Sequence, residues 1–134
     1  FNKMMNNSYK NKILAPISLG ELIDKITILE IKKDKLTNKK ARNVDYELKL
    51  LKNIIPINQD INSDYMKNLK EINLNLWEIE ERLRCKEKKN EFDHEFIKLA
   101  RKVYIENDKR YSIKNEINHK YRSDIVEEKS YKIQ

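Results

Sequence analysis

Turn-forming residues are nearly missing from this chain: one glycine and two prolines in 134 residues. β-Sandwiches and dinucleotide-binding α/β domains need many more of them, so the scarcity favours helices. A single cysteine, Cys85, excludes an intrachain disulfide and a cysteine-based zinc site within one chain. A reducing compartment, the cytoplasm, is the expected location. The flanking Arg84 and Lys86 favour a thiolate at Cys85, but no histidine lies nearby in sequence to make it a catalytic pair. No apolar run reaches membrane-spanning length, and the N-terminus is too polar for a signal peptide. Alanine is scarce, while Asn, Ile and Lys abound.

What is present is charge and helical periodicity. The formal net charge is +7, concentrated early: residues 1–60 carry twelve Lys/Arg against seven Asp/Glu, and residues 91–134 carry ten against nine. A basic surface can attract nucleic acid. Here Lys25, Lys32, Lys33, Lys39 and Lys40 scatter around two helices with no interleaved aromatics, so nucleic acid is not the expected partner.

The expected organisation is a polar tail over residues 1–12 and one helical domain over 13–134. Tyr65, Leu69, Ile72, Leu76, Ile79 and Leu83 are spaced 4-3-4-3-4, a helix with one buried stripe. This stretch reads as the spine around which the rest folds. Ser18 and Glu21 have the S-x-x-E form of a capping box, with Ile17 as staple, and open a first helix over about 19–36. Its face is broad: Leu22, Ile26, Leu29, Lys33 and Leu36, widened by Ile23, Ile28 and Ile31. A second helix over about 40–54 has Ala41, Val44, Leu48, Leu51 and Ile55 as its stripe, and Pro56 stops it. Residues 56–62 make the longest loop. Asn62, Ser63 or Asp64 caps the spine helix, which runs to about Lys88, where Asn90 suits a left-handed residue. Asp93 caps the last long helix. Ser123-Asp124 then starts a short final turn, from which Ile125, Val126, Tyr131 and Ile133 pack back. The expected fold is all-α: an antiparallel bundle of about four helices with a short docked C-terminal segment. The stripes are wider than a two-stranded coiled coil needs. The long helices leave lateral surface for another protein or a second copy.

The segment Pro16-Ile17-Ser18-Leu19-Gly20-Glu21-Leu22-Ile23-Asp24-Lys25-Ile26-Thr27-Ile28-Leu29-Glu30-Ile31-Lys32 resembles the signature of an uncharacterised bacterial family of small proteins, domain of unknown function 6165. Leu76-Trp77-Glu78-Ile79-Glu80, Asn107-Asp108-Lys109-Arg110 and Val126-Glu127-Glu128-Lys129-Ser130-Tyr131 resemble its other motifs. The resemblance covers nearly everything after the tail and carries no assigned reaction. Some members resemble neighbours or fusion partners of glycan-assembly and glycosyltransferase proteins, which implies a setting and no mechanism.

Three polar groups are candidates for function. Asp24, Lys25, Thr27 and Glu30 lie among apolar neighbours on the first helix. Paired carboxylates there could do acid/base work if a cleft raised one pKa; the alternative is surface ion pairing such as Glu21–Lys25. Asn73, Trp77, Glu80 and Glu81 form the second group. Trp77 is either core or the ring wall of a site for a sugar or base. The third group is Asn107, Asp108, Arg110, Lys114 and Asn118, in which Arg110 and Lys114 could clamp a carboxylate or phosphate, or pair with Glu80 or Glu30 in a buried network. Tyr131 is expected to bring its hydroxyl to the same network. Glu91-x-x-His94 and Glu116-x-x-His119 have a di-metal spacing, with Glu30 and Glu80 to complete it, but His94 falls at a turn. No metal or cofactor is expected.

Two functional readings follow. One is a binding or scaffold protein with a charged polar groove, working in a complex and associated with glycan or surface-polysaccharide assembly. The other is a small enzyme on a phosphorylated or nucleotide-linked sugar, with Arg110 and Lys114 holding the anion and Glu30 or Glu80 moving a proton. Cations paired and closed off favour the first; cations and carboxylates facing an open concavity favour the second.

Overall fold

The computed structural model describes residues 11–55 and 60–130. Among them lie four helices and no strand: α1 (Leu19–Lys35), α2 (Asn38–Lys52), α3 (Ser63–Lys88) and α4 (His94–Lys120). The helices form an all-α bundle in which α1 packs against the other three, α3 pairs with α4, and α2 touches α1 alone. Residues 1–10, Pro56 to Gln59 and 131–134 lie outside the described residues, so most of the expected tail, the stop at Pro56 and the docking of Tyr131 and Ile133 lie there too.

The helix ends follow local chemistry. Ser18 caps α1, its Oγ accepting from Glu21 N at 3.1 Å. Asn62 caps α3 by accepting from Asp64 N at 2.9 Å, and Asp93 caps α4 by accepting from Phe96 N at 3.0 Å. Asn38 and Asn90 adopt φ of 58° and 54°, which lets the chain reverse between helices without glycine. The half of the capping box that needed Glu21 to reach back to Ser18 does not form. Glu21 instead pairs across the bundle with Lys114.

The apolar stripes face inward as their spacing dictates. Leu22, Ile26 and Leu29 of α1 meet Val44 and Leu48 of α2. On another side of α1, Ile23 meets Leu69 of α3 and Ile117 of α4. Fully burying each such side chain contributes about 1.5–3 kcal/mol. One expectation changes: the centre is α1, with eight of seventeen residues buried, and not α3, with four of twenty-six. At 1.5 Å per residue α3 and α4 are each about 40 Å long against about 25 Å for α1, so the α3–α4 hairpin outruns the helix that it packs on.

The single glycine explains how α1 docks. A Cβ on Gly20 would lie 2.6 Å from the Lys114 carbonyl oxygen and 3.0 Å from Asn118 Oδ1. No other residue allows the backbones of α1 and α4 this close. Gly20 N then donates to Asn118 Oδ1 at 2.7 Å, and Leu19 N donates to Ser123 Oγ at 3.2 Å. With Ser18, these partners satisfy the first-turn N–H groups of α1, which burial would otherwise leave without water. Ser123 thus serves α1 and does not start a final turn. Residues 121–130 contain no helix, and Ile125 is exposed rather than packed back.

Candidate functional site

Asp24 is a fully buried carboxylate, and such a group persists only with strong partners. Helical spacing puts it one turn after Gly20, where the backbones of α1 and α4 touch. Its Oδ1 accepts from Asn73 Nδ2 of α3 at 2.8 Å and from Arg110 Nε of α4 at 3.0 Å. Its Oδ2 accepts from Arg110 Nη2 as well, making a bidentate fork. Asn73 Nδ2 also donates to Thr27 Oγ1 at 2.9 Å, and Thr27 Oγ1 donates to the Asp24 carbonyl at 2.8 Å.

Lys114 extends the cluster one turn along α4. Its Nζ is 2.7 Å from Glu21, 3.0 Å from Glu127 and 3.8 Å from Asp24. Tyr111 holds the C-terminal segment over it, its hydroxyl donating to the Glu127 carbonyl at 3.2 Å. Burial pushes the Lys114 ammonium down, but the hydrogen bond to Glu21 and the ion pair with Glu127 more than offset this, and its pKa is raised above the ordinary 10.5. The Asp24 hydrogen bond raises Arg110 against the opposing effect of burial. Burial acts to raise Glu127, but Lys114 outweighs it and holds that carboxyl below its ordinary 4.5. Asn118 Oδ1 accepts from Gly20 N, and its Nδ2 is buried without a hydrogen-bond partner among the described residues.

Beside this cluster lies an open groove of about 660 Å³ between α1, α3 and α4. Ile28 and Ile31 form one wall, Trp77 and Glu80 another, and Asn107 and Arg110 a third. Trp77 is fixed by its Nε1 donating to Glu81 Oε1 at 2.8 Å. Arg110 gives Nε and Nη2 to Asp24, leaving Nη1 without a hydrogen bond among the described residues. The Asn107 amide likewise makes none.

The candidates thus separate. Asp24, Asn73, Trp77, Glu80, Asn107 and Arg110 converge on or beneath the groove, and Lys114 adjoins them under the C-terminal segment. Glu80 pairs at 3.4 Å with Arg84, both half or more exposed. Glu30 lies elsewhere, 3.9 Å from Lys52 of α2, and Lys25 lies 3.8 Å from Glu47 of α2. The buried network therefore uses neither Glu30 nor Glu80 as its acids. Asp108 lines a different depression, with Ile72 and Tyr104. Tyr131 lies outside the described residues. His94 and His119 are exposed, and among the described residues no three His, Cys, Asp or Glu side chains could hold a metal ion.

The carboxylates that serve the network, Glu21 and Glu127, escaped the sequence reading as partners. Glu21 matched a capping box, and Glu127 entered only as part of a segment that resembles a family motif.

The class is now defined: an all-α protein whose three-helix crossing is pinned by a buried ion cluster beside an open, mixed groove. The chain belongs to the family of unknown function DUF6165, whose sequence profile matches residues 13–134. No curated protein and no solved structure matches it. Among the described residues no helix is long and apolar enough to cross a membrane.

Proposed function

We propose that this is a helical binding protein that holds a saccharide ring, free or phosphate-linked, in the groove beside Trp77. The observation that carries this reading is the unused hydrogen-bonding capacity there. Arg110 Nη1 offers donors, and Asn107 offers two donors and an acceptor, with no partner among the described residues. A hydroxyl both donates and accepts, so a polyhydroxylated ring suits such a mixed set. Lys35 Nζ stands 6.0 Å from the centre of the Trp77 ring, and the other side of the indole supplies an apolar face for the C–H side of the sugar. The volume falls within the range of small-molecule sites, about 300–1,000 Å³. The glycan-assembly setting implied by the family resemblance agrees with this ligand, and a scaffold role in a cytoplasmic complex is compatible with it.

Pairing of the cations also supports binding over catalysis. Lys114 is 7% exposed and neutralised by Glu21 and Glu127, which suits a support for the groove better than an anion clamp. The enzyme reading retains one observation, the half-exposed Glu80 on the groove wall. Turnover of a nucleotide-linked sugar that Glu80→Gln abolishes while leaving binding intact would favour it.

Trp77 is the only tryptophan in the chain, so its fluorescence reports on the groove directly. Titration with a free monosaccharide, a sugar phosphate, a nucleotide sugar and inorganic polyphosphate should change its emission with a sugar-containing ligand. Asn107→Ala should weaken that ligand about tenfold, roughly 1.4 kcal/mol, without lowering Tm. Silence to all sugar-containing ligands up to about 10 mM, a ceiling weaker than about −3 kcal/mol, would overturn the reading. Response to polyphosphate alone would recast the groove as an anion site.

A further inference from the structure

A second surface of the hairpin carries information that the groove does not use. On α4, Ile97, Arg101, Tyr104, Ile105, Asp108 and Ser112 recur at helical spacing and form one stripe about 100° wide. Ile97, Tyr104 and Ile105 are 54%, 51% and 40% exposed, large values for apolar side chains at helical register. Tyr104, Ile105 and Asp108 also line a depression shared with Ile72 and Ile113, and none of these residues lines the Trp77 groove. Arg101 and the Asp108 carboxylate have no ion pair or side-chain hydrogen bond among the described residues. Nearby, Lys109 pairs with Glu106, and Arg82 with Glu95.

The order of these residues is self-complementary. When two copies of α4 lie antiparallel about a two-fold axis between positions 104 and 105, the stripe maps onto itself. Tyr104 of one copy meets Ile105 of the other, Arg101 meets Asp108, and Ile97 meets Ser112. The two charges without partners thereby satisfy each other twice, on either side of an apolar centre. That is what an isologous interface requires. Lys98, Lys102 and Lys109 are exposed and flank the stripe, where their ammonium groups stay in water. We infer that this face of α4 is the contact between two copies of the chain, which associate antiparallel with Arg101 opposite Asp108. The interface leaves the Trp77 groove open, and it stands or falls independently of the ligand proposed there.

The test is a charge-reversal exchange read by sedimentation or light scattering. At about 100 µM, well above the Kd of a micromolar complex, the wild-type chain should run at twice its 16.2 kDa mass. Arg101→Asp and Asp108→Arg each place like charges opposite one another twice. Each variant alone should run as a monomer, with Kd raised at least tenfold. Mixed in equal amounts they should form a heterodimer, because every Asp then faces an Arg, and the double variant should dimerise by itself. Neither residue has a partner to lose, so Tm of the isolated chains should not fall, and circular dichroism checks that folding is retained. A monomeric wild-type chain at that concentration overturns the inference and leaves the face to another occupant. Single variants that remain dimeric, or a mixture that stays monomeric, overturn it equally.

Discussion

α1 and α3 both carry helical patterns, yet they do different work. α3 has the cleaner stripe and the greater length, and four of its twenty-six residues are buried. α1 has a blurred pattern, broad and interrupted by Asp24 and Thr27, and eight of its seventeen are buried. A clean stripe belongs to a helix with one neighbouring surface. A helix that looks apolar on too many sides, with polar residues set among them, is one surrounded by partners. Here the polar residues bond to those partners: Asp24 to α3 and α4, Glu21 to α4. Beyond Trp77, the ion pairs that α3 makes lie at the surface: Glu80 with Arg84, and Arg82 with Glu95.

The largest test of this contrast is Asp24→Ala. It leaves Arg110 without its partner near the bundle centre, and breaking a buried pair from one side costs about 3–5 kcal/mol. Arg84→Ala in the outer part of α3 removes only an exposed pair with Glu80 and should fall within about 0.5 kcal/mol. Denaturant unfolding of both variants reads the difference, and equal losses would erase the distinction between the helices.

Gly20→Ala probes the same centre through the backbone. The added Cβ meets a main-chain carbonyl at 2.6 Å, which cannot swing aside, so α1 and α4 must separate. Overpacking of this kind costs about 1–3 kcal/mol, and Tm should drop. Because Asp24 sits one turn away, the Trp77 emission should shift as well. Unchanged Tm would mean that the crossing tolerates more space than its geometry implies.

A smaller effect is expected at the C-terminal segment. Glu127 titrates below its ordinary 4.5, so its contribution is present above that pH and is lost as pH falls through the lower folded value. Lys114 titrates above 10.5, so its contribution is complete below 10.5 and is lost as pH rises through the higher folded value. Stability from this clip should be level between these limits. Glu127→Gln should cost below about 1 kcal/mol at pH 7, because the side chain is partly exposed, and should shallow the acid limb of the Tm-versus-pH curve. An unaltered acid limb would show that Glu127 does not hold the segment.

Much of the architecture was legible from spacing. Stripes such as Leu69, Ile72 and Ile79 and caps such as Ser18, Asn62 and Asp93 are local, and local rules govern them. The gathering of Asp24, Asn73, Trp77 and Arg110 was legible in part, since each interrupts or flanks an apolar face. What stayed hidden was pairing across the bundle. Glu30 and Asp24 differ by less than two turns in sequence, but the first lies toward α2 and the second toward α4, a distinction set by rotation about the α1 axis. Glu21 satisfied a local rule well enough to conceal its distant partner. Glu127 sits in a segment without periodicity, so nothing in its neighbourhood pointed at Lys114.

The missing side chain at Gly20 reaches beyond its own contact. The gap between two rods at that point fixes how far apart they stand a turn later, where a short aspartate must touch a long arginine. One hydrogen atom in place of a methyl group therefore acts as a spacer gauge for the whole charged cluster, and the width of the neighbouring groove inherits its setting.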